Sequence, residues 1–192
     1  MKKYSLLTAA AVISSIIALH AQAQDLQEPQ IVLEDKSLNT GVGFGFHISQ
    51  FQQDFGIGIN VTSPYFVHDR IAVRLKGNFV FNEIVQGAVV NWIPYSNVQV
   101  GVIGVGGFVG EHIRLYGEGG AIGLLPSEEF SSEDFIFGGY GTFGFEFFMN
   151  KANNYFIEIG AVGTGAREDK IATRPIYSNG LVISTGFRFC LK

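Results

Sequence analysis

The feature that most restricts the fold of this chain is an alternation of apolar and other residues, which recurs eight times after residue 40. A period of two is the pattern of β-strands, because successive side chains of a strand point to opposite faces. Turn-forming groups such as Ser63-Pro64 and Pro126-Ser127 separate the alternating segments. We therefore predict an all-β domain with strands over residues 41–49, 55–62, 71–82, 97–108, 113–122, 135–148, 155–164 and 181–191.

One face of every predicted strand is free of charge. In the sixth segment this face carries Phe135, Phe137, Phe143, Phe145 and Phe147, and the third and fourth segments place Phe81 and Phe108 on it. The opposite face combines glycine, asparagine, threonine and tyrosine with a small set of charged residues of both signs. These charged residues are Arg74, Lys76, Arg114, Glu118, Glu146, Glu158 and Arg188.

The first 23 residues have the parts of a secretory signal peptide. Lys2 and Lys3 precede a short apolar stretch, and Ala21-Gln22-Ala23 supplies a small-residue cleavage site. An uncleaved membrane anchor is the alternative, but the apolar stretch is short for a membrane-spanning helix. We expect export and cleavage after Ala23. Residues 24–40 contain neither Gly nor Phe, so we interpret them as a polar periplasmic lead-in segment and residues 41–192 as the barrel domain.

Two architectures bury one face of such a sheet. A secreted lipocalin-like barrel would point its apolar face inward, whereas a membrane barrel points it outward into lipid. An eight-stranded barrel has little interior space, and the uncharged face is rich in Phe, Ile and Leu. Most segments also reach the roughly 9–11 residues that a tilted strand needs to cross a bilayer. We therefore predict an eight-stranded antiparallel up-and-down transmembrane β-barrel; a count of ten strands stays open.

Composition excludes several other classes. The chain is 47% hydrophobic and 14% aromatic, which argues against disorder. With 13 basic and 17 acidic residues it has no basic surplus for nucleic acid. Cys190 is the single cysteine, so a disulfide scaffold is excluded, and we expect it to pack near the periplasmic rim of the barrel. No motif indicates a cofactor or a metal, and we expect a monomer.

The C-terminus carries a family resemblance. Ser184, Gly186, Phe189 and Leu191 follow the spacing of the C-terminal targeting signal of Gram-negative outer-membrane barrels, although the chain continues to Lys192 instead of ending on the usual Phe. With the signal peptide and the eight strands, the chain resembles small OmpA/OmpX-type outer-membrane barrels. That resemblance implies insertion by the barrel-assembly machinery and contact with outer-membrane lipid and lipopolysaccharide.

An even strand count with both ends in the periplasm fixes the expected topology. The segments near residues 50–54, 83–96, 124–134 and 165–179 would be extracellular loops, and those at 63–70, 109–112 and 149–154 periplasmic turns. Only the first turn is long, and we expect Tyr65 and Phe66 there to anchor at the membrane interface.

The charged residues on the inner face favour a closed, ion-paired lumen. A lone buried charge is costly, so four cations and three carboxylates sharing one interior are expected to pair. The alternative is a gated path for ions or protons.

Two local patterns suggest other chemistry but fit the barrel better. The sequence GYGTFG at residues 139–144 matches a dinucleotide-binding motif, yet it lies inside an alternating segment instead of between a strand and a helix. Four acidic residues within 127–134 indicate a solvated loop. The alternative is that these acids contact divalent cations beside lipopolysaccharide phosphates. None of the four histidines maps to an expected extracellular loop.

The sequence therefore predicts a small outer-membrane barrel with a structural or surface-interaction role and no catalytic activity. Three alternatives stay open: a narrow pore, a lipid A-modifying barrel enzyme, and a secreted lipocalin-like binder.

Overall fold

The computed structural model describes residues 41–52, 54–86, 89–150, 152–173 and 175–191. The predicted signal peptide and lead-in segment lie outside the described residues. Every strand of the described region pairs antiparallel with the next, and β8 pairs back onto β1, so the sheet closes in sequence order. The predicted eight-stranded antiparallel up-and-down barrel is therefore confirmed. The strands are β1 Val42–Phe51, β2 Asp54–Thr62, β3 Ile71–Gln86, β4 Val89–Val109, β5 Ile113–Leu125, β6 Ile136–Phe148, β7 Asn153–Gly163 and β8 Gly180–Leu191.

The two faces of the wall differ in polarity as the alternation predicts. Along β1, Phe44 and Phe46 are about half exposed on the outside, whereas His47 on the inside is 5% exposed. On β7, Ile159 is 47% exposed and its neighbour Glu158 is 1% exposed. The apolar side chains thus cover the exterior and the charged ones fill the interior. No helix among the described residues is long and apolar enough to span a membrane.

A β-bulge in β4 overturns one assignment. The register between β4 and β5 shifts between Val105 and Gly107, so that Phe108 pairs with Arg114. The extra residue reverses the alternation beyond it, and Phe108 packs against the interior cluster that includes Tyr65 and Tyr116. The prediction that Phe108 lies on the apolar outer face is wrong for this reason.

The β3–β4 hairpin is longer than the sequence predicts. Residues 83–96, expected as a loop, continue the ladder, with Glu83 opposite Trp92 and the pairing running on to Gln86 and Val89. Inward side chains of this extension, such as Ile84, belong to the apolar cluster at this end of the barrel. This packing keeps the extended hairpin in the β-sheet.

The turns at the opposite end are short apart from residues 63–70. In that turn Val67, His68 and Asp69 have φ of 52°, 57° and 59°, which is the left-handed region. The turn is closed by an isolated bridge between Phe66 and Ile71. Phe66 is exposed, but Tyr65 is buried and points into the barrel, so interface anchoring does not describe Tyr65.

Candidate functional site

Two cations of β3 meet two carboxylates, one from β5 and one from β7, across the middle of the lumen. Arg74 Nη1 lies 2.5 Å from Glu118 Oε2 and 2.6 Å from Glu158 Oε1. Lys76 Nζ lies 3.1 Å from Glu118 Oε1 and 3.0 Å from Glu158 Oε2. Each carboxylate therefore touches both cations, and the four charges cancel. Because all four side chains are buried, this pairing offsets the cost of removing each charge from water.

Two tyrosines donate further hydrogen bonds to the carboxylates of this central group. Tyr116 donates its hydroxyl to Glu158 Oε1 at 2.6 Å, and Tyr140 donates to Glu118 Oε1 at 2.6 Å. The ring of Tyr116 fits because a glycine faces it: a Cβ atom at Gly144 would lie 2.7 Å from Tyr116 Cε2. The inner glycines thus provide the room that large polar side chains need inside a narrow barrel.

A second charged group lies nearer the turn end of the barrel. Glu146 Oε2 lies 3.0 Å from Arg114 Nη1, and Arg188 Nη1 binds the other carboxylate oxygen of Glu146. Asn154 Nδ2 donates to Glu146 Oε1 at 3.0 Å and approaches Cys190 Sγ at 3.9 Å. This group contains two cations and one carboxylate, and the thiol of Cys190 is buried beside it.

Aromatic rings surround Arg114 and close this end of the lumen. The guanidinium carbon of Arg114 lies 4.4 Å from the ring centroid of Tyr65, 4.9 Å from that of Phe148 and 5.9 Å from that of Phe108. A cation over an aromatic face is stabilised by the ring quadrupole, more so when water is excluded. Phe108, which the β-bulge turns inward, is thus one of the rings that cap this end of the lumen.

Amide side chains of β2, β3 and β4 form a hydrogen-bonded network with His47 of β1. His47 Nε2 bonds Asn78 Oδ1 at 2.6 Å, and His47 Nδ1 lies 3.4 Å from Asn60 Nδ2. Asn78 and Gln99 both donate to Asn97 Oδ1, at 2.7 and 3.2 Å. An amide oxygen on Nε2 and an amide NH₂ on Nδ1 assign the neutral imidazole with its proton on Nε2. The imidazole is therefore fully engaged by structural partners.

The lumen has little free volume between His47 and Tyr140. An enclosed cavity of about 10 Å³ is bordered by His47, Ser49, Lys76, Tyr140 and Thr142, among others. That volume corresponds to about one water molecule.

Loops cover the other mouth of the barrel. Phe130 packs edge to face on Tyr177 and Tyr95, with ring centroids 4.9 and 5.9 Å apart. Asp54, at the start of β2, accepts hydrogen bonds from the Tyr95 hydroxyl at 2.9 Å and from the backbone N–H of Ser178 at 3.2 Å. An aromatic cap and a buried carboxylate thereby fasten two loops onto the sheet.

Polar groups also hold this cap, both to β3 and between its two loops. Asn82 Nδ2 donates to Glu168 Oε1 at 2.8 Å, and burial raises the pKa of Glu168 although this hydrogen bond opposes the shift. Asp169 accepts from both the backbone N–H and the hydroxyl of Ser132, and these bonds lower the pKa of Asp169. The neighbouring acids of one loop thus have opposite pKa shifts.

The acidic loop at residues 127–134 is only partly solvated. Its four acids are exposed, as predicted, but Phe130 and Ser131 between them are buried. Among the residues that the structure describes, no group of three or more His, Cys, Asp or Glu side chains is placed to hold a metal ion. His68 and His112 lie exposed in turns at the opposite end.

The structure brings together the residues that the sequence singled out for the lumen: the seven charged side chains form the two groups described above. The GYGTFG sequence lies within β6, where no helix follows it. Ser184 and Gly186 face the interior of β8, and Phe189 and Leu191 its outer face, opposite Phe44 and Val42 of β1. Sequence reasoning missed the capping roles of Tyr65, Phe130, Tyr177 and Asp54, for which a local pattern gives no signal.

Comparison with known proteins identifies the class of fold. The crystal structure of the N-terminal β-barrel domain of Pseudomonas aeruginosa OprF matches with a TM-score of 0.56 at 10% sequence identity, over 78% of this chain and 96% of that chain. Ail, the attachment invasion locus protein of Yersinia pestis, matches with a TM-score of 0.41 at 12% identity, over 77% of this chain and 93% of its own. No protein-family profile matches the sequence, and no curated protein gives a significant match. The chain therefore has the fold of the small eight-stranded barrels that it was predicted to resemble.

Proposed function

We propose that this protein is an integral outer-membrane β-barrel with a structural or surface-interaction role and a closed lumen. The observation that carries the proposal is the inversion of polarity across the wall. Phe46, Ile59 and Ile159 are about half exposed on the outside, while Arg74 and Arg114 are buried. Water would penalise such an exterior, whereas hydrocarbon is the solvent in which it is stable.

The closed lumen rests on three features of the interior. The central charges cancel in pairs, the cavity beside His47 has about the volume of one water, and both mouths are capped by aromatic side chains. A permanent pore needs a continuous water path, which these features oppose. Movement of ions through the resting barrel would therefore require several buried contacts to break together.

A non-catalytic role is proposed for the same protein. His47 is held by Asn78 and Asn60 inside the wall, and His68 and His112 lie at the turn end, away from the loops. No described histidine is thus paired with a nucleophile at the loop end, where lipid A would be met. Outer-membrane lipid, lipopolysaccharide and, during biogenesis, the barrel-assembly machinery are the partners that this proposal implies, with β8 carrying the targeting signal.

Fractionation combined with a heat-shift gel tests the proposal. The protein should be recovered with outer membranes, and unboiled samples should migrate faster than boiled ones because a closed barrel resists detergent unfolding. Recovery in the soluble periplasm, with no heat-dependent shift, would favour the lipocalin-like alternative.

A further inference from the structure

We propose that the enclosed cavity beside His47 is a binding site for one water molecule, which links β1, β3 and β6 across the lumen. Ser49 of β1, Lys76 of β3, and Tyr140 and Thr142 of β6 all border this cavity. None of these three strands pairs with another of the three. A molecule held here therefore joins parts of the wall that the backbone ladder does not connect.

Two hydroxyl groups at the cavity have no protein partner. Ser49 Oγ and Thr142 Oγ1 are buried without a hydrogen-bond partner among the described residues, and Ser49 is only 3% exposed. A Cβ atom at Gly56 would lie 2.8 Å from Ser49 Oγ, so the glycine leaves room for this hydroxyl. A buried hydroxyl that makes no hydrogen bond is costly. Both groups therefore favour a small polar ligand in the cavity that they border.

Lys76 supplies a third polar contact. Its Nζ lies 3.0 Å from Glu158 Oε2 and 3.1 Å from Glu118 Oε1. An ammonium group has three N–H donors, so these two carboxylates leave one of them for another acceptor. The ammonium and the two hydroxyls make three partners, which is the usual number for a buried water molecule.

The size and the charge of the cavity select water over an ion. A volume of about 10 Å³ is about the smallest that holds a water molecule, and it excludes larger ligands. A cation would meet the ammonium of Lys76, and an anion would find no net positive charge, because Arg74 and Lys76 are matched by Glu118 and Glu158. Water can accept from the ammonium and exchange hydrogen bonds with both hydroxyls.

The test uses the full chain, folded in detergent micelles. A high-resolution crystal structure should show a water peak within hydrogen-bond distance of Ser49 Oγ and Thr142 Oγ1. In solution, oxygen-17 relaxation dispersion of the solvent should count this molecule among the waters held for longer than the protein takes to tumble. Neither measurement depends on where the barrel is located in the cell, so failure of the proposed outer-membrane role would be seen separately.

A matched set of variants identifies the site. The Ser49→Ala/Thr142→Val double variant should lose the water peak and one long-lived water molecule, and Thr142→Val alone should lower the occupancy of the peak. Thr185→Val makes the same change on the outer face of β8, where the hydroxyl donates to Tyr155, and should retain both signals. An empty cavity in wild-type crystals, or an unchanged number of long-lived waters in the folded double or single variant, would overturn the proposal.

Discussion

Arg74 donates a hydrogen bond to Glu158 at 2.6 Å although 84 positions separate the two residues in the chain. The bond crosses the lumen from β3 to β7 and therefore ties together strands that do not pair. A barrel wall alone constrains only neighbouring strands. Cross-lumen bonds of this kind add stiffness that the backbone ladder does not provide.

Removal of one central carboxylate should destabilise the barrel before it opens a path. Glu118→Ala leaves Arg74 and Lys76 with one carboxylate between them, and breaking a buried pair costs about 3–5 kcal/mol. The free energy of unfolding, measured by urea titration in lipid vesicles, should fall by that order. The Lys76→Ala/Glu118→Ala double variant restores neutrality and should lose clearly less than the sum of the two single variants. Additive losses would mean that the two side chains are not coupled.

The unmodified protein should show no large, steady conductance in planar bilayers. Its interior holds paired charges and a cavity of about 10 Å³ beside His47, so we expect no water-filled path for ions through the described lumen. A persistent current of porin size from wild-type protein would instead support the narrow-pore alternative.

A charge on the outer face should be much worse than the same charge in a loop. Ile159 lies near the middle of β7 and points outward, and Arg at a bilayer midplane costs about 2–4 kcal/mol in a barrel. Ile159→Arg should therefore lower the yield of folding into vesicles. Ala172→Arg, in an exposed turn of the loop cap, should fold like wild type. Similar yields for the two variants would contradict the lipid-facing assignment.

The loop cap should tighten as the pH falls toward the ordinary titration range of a glutamate, about 4–5. Burial raises the pKa of Glu168, so its contribution to stability is present at low pH and is lost as pH rises through the raised pKa. Asp169 has a lowered pKa and loses its contribution only when pH falls below the ordinary aspartate range. Trypsin cleavage at the exposed Lys170 should therefore be slower at about pH 5 than at about pH 8, after correction for the protease's own pH dependence.

Variants at two glutamates of the cap check this assignment. Glu168→Gln mimics the protonated acid and should remove the pH dependence of cleavage at Lys170. Glu129→Gln, at an exposed position of the facing loop, should retain it. The idea fails if Glu168→Gln keeps the wild-type pH profile.

The left-handed turn offers a stabilising substitution. Val67 has a φ of 52°, a conformation that costs an L-residue about 1–2 kcal/mol and a β-branched one most. Val67→Gly should raise the free energy of unfolding by about 0.5–1 kcal/mol. This gain is smaller than the cost of the left-handed conformation, because glycine loses more entropy on folding. Val109→Gly, at another exposed valine outside that backbone region, should not stabilise the barrel.

The alternation predicted the two faces of the wall well because it depends only on neighbouring residues. Arg74, Glu118 and Glu158 could be placed in one interior from parity alone, once eight strands were assumed to close. Their individual pairings depend on the stagger between strands, which parity does not determine. The sequence therefore predicted a shared interior but not which atoms meet in it.

The misassigned residues share a different cause. Phe108 was placed outside because one extra residue at the β4 bulge reverses parity, and a bulge has no strong local pattern. Residues 83–96 read as a loop because their ladder is held by packing of Ile84 and Tyr95 against Phe130 of a distant loop. Tyr65 lies in a turn, where no periodicity exists to show that its ring lies against Arg114.

Both ends of the barrel are capped by aromatic side chains, with Tyr65 beside the turns and Phe130 and Tyr177 beneath the loops. Whatever occupies the interior when β8 joins β1 can leave only when the wall or a cap opens. A water molecule enclosed there should therefore exchange with bulk solvent only as often as these openings occur.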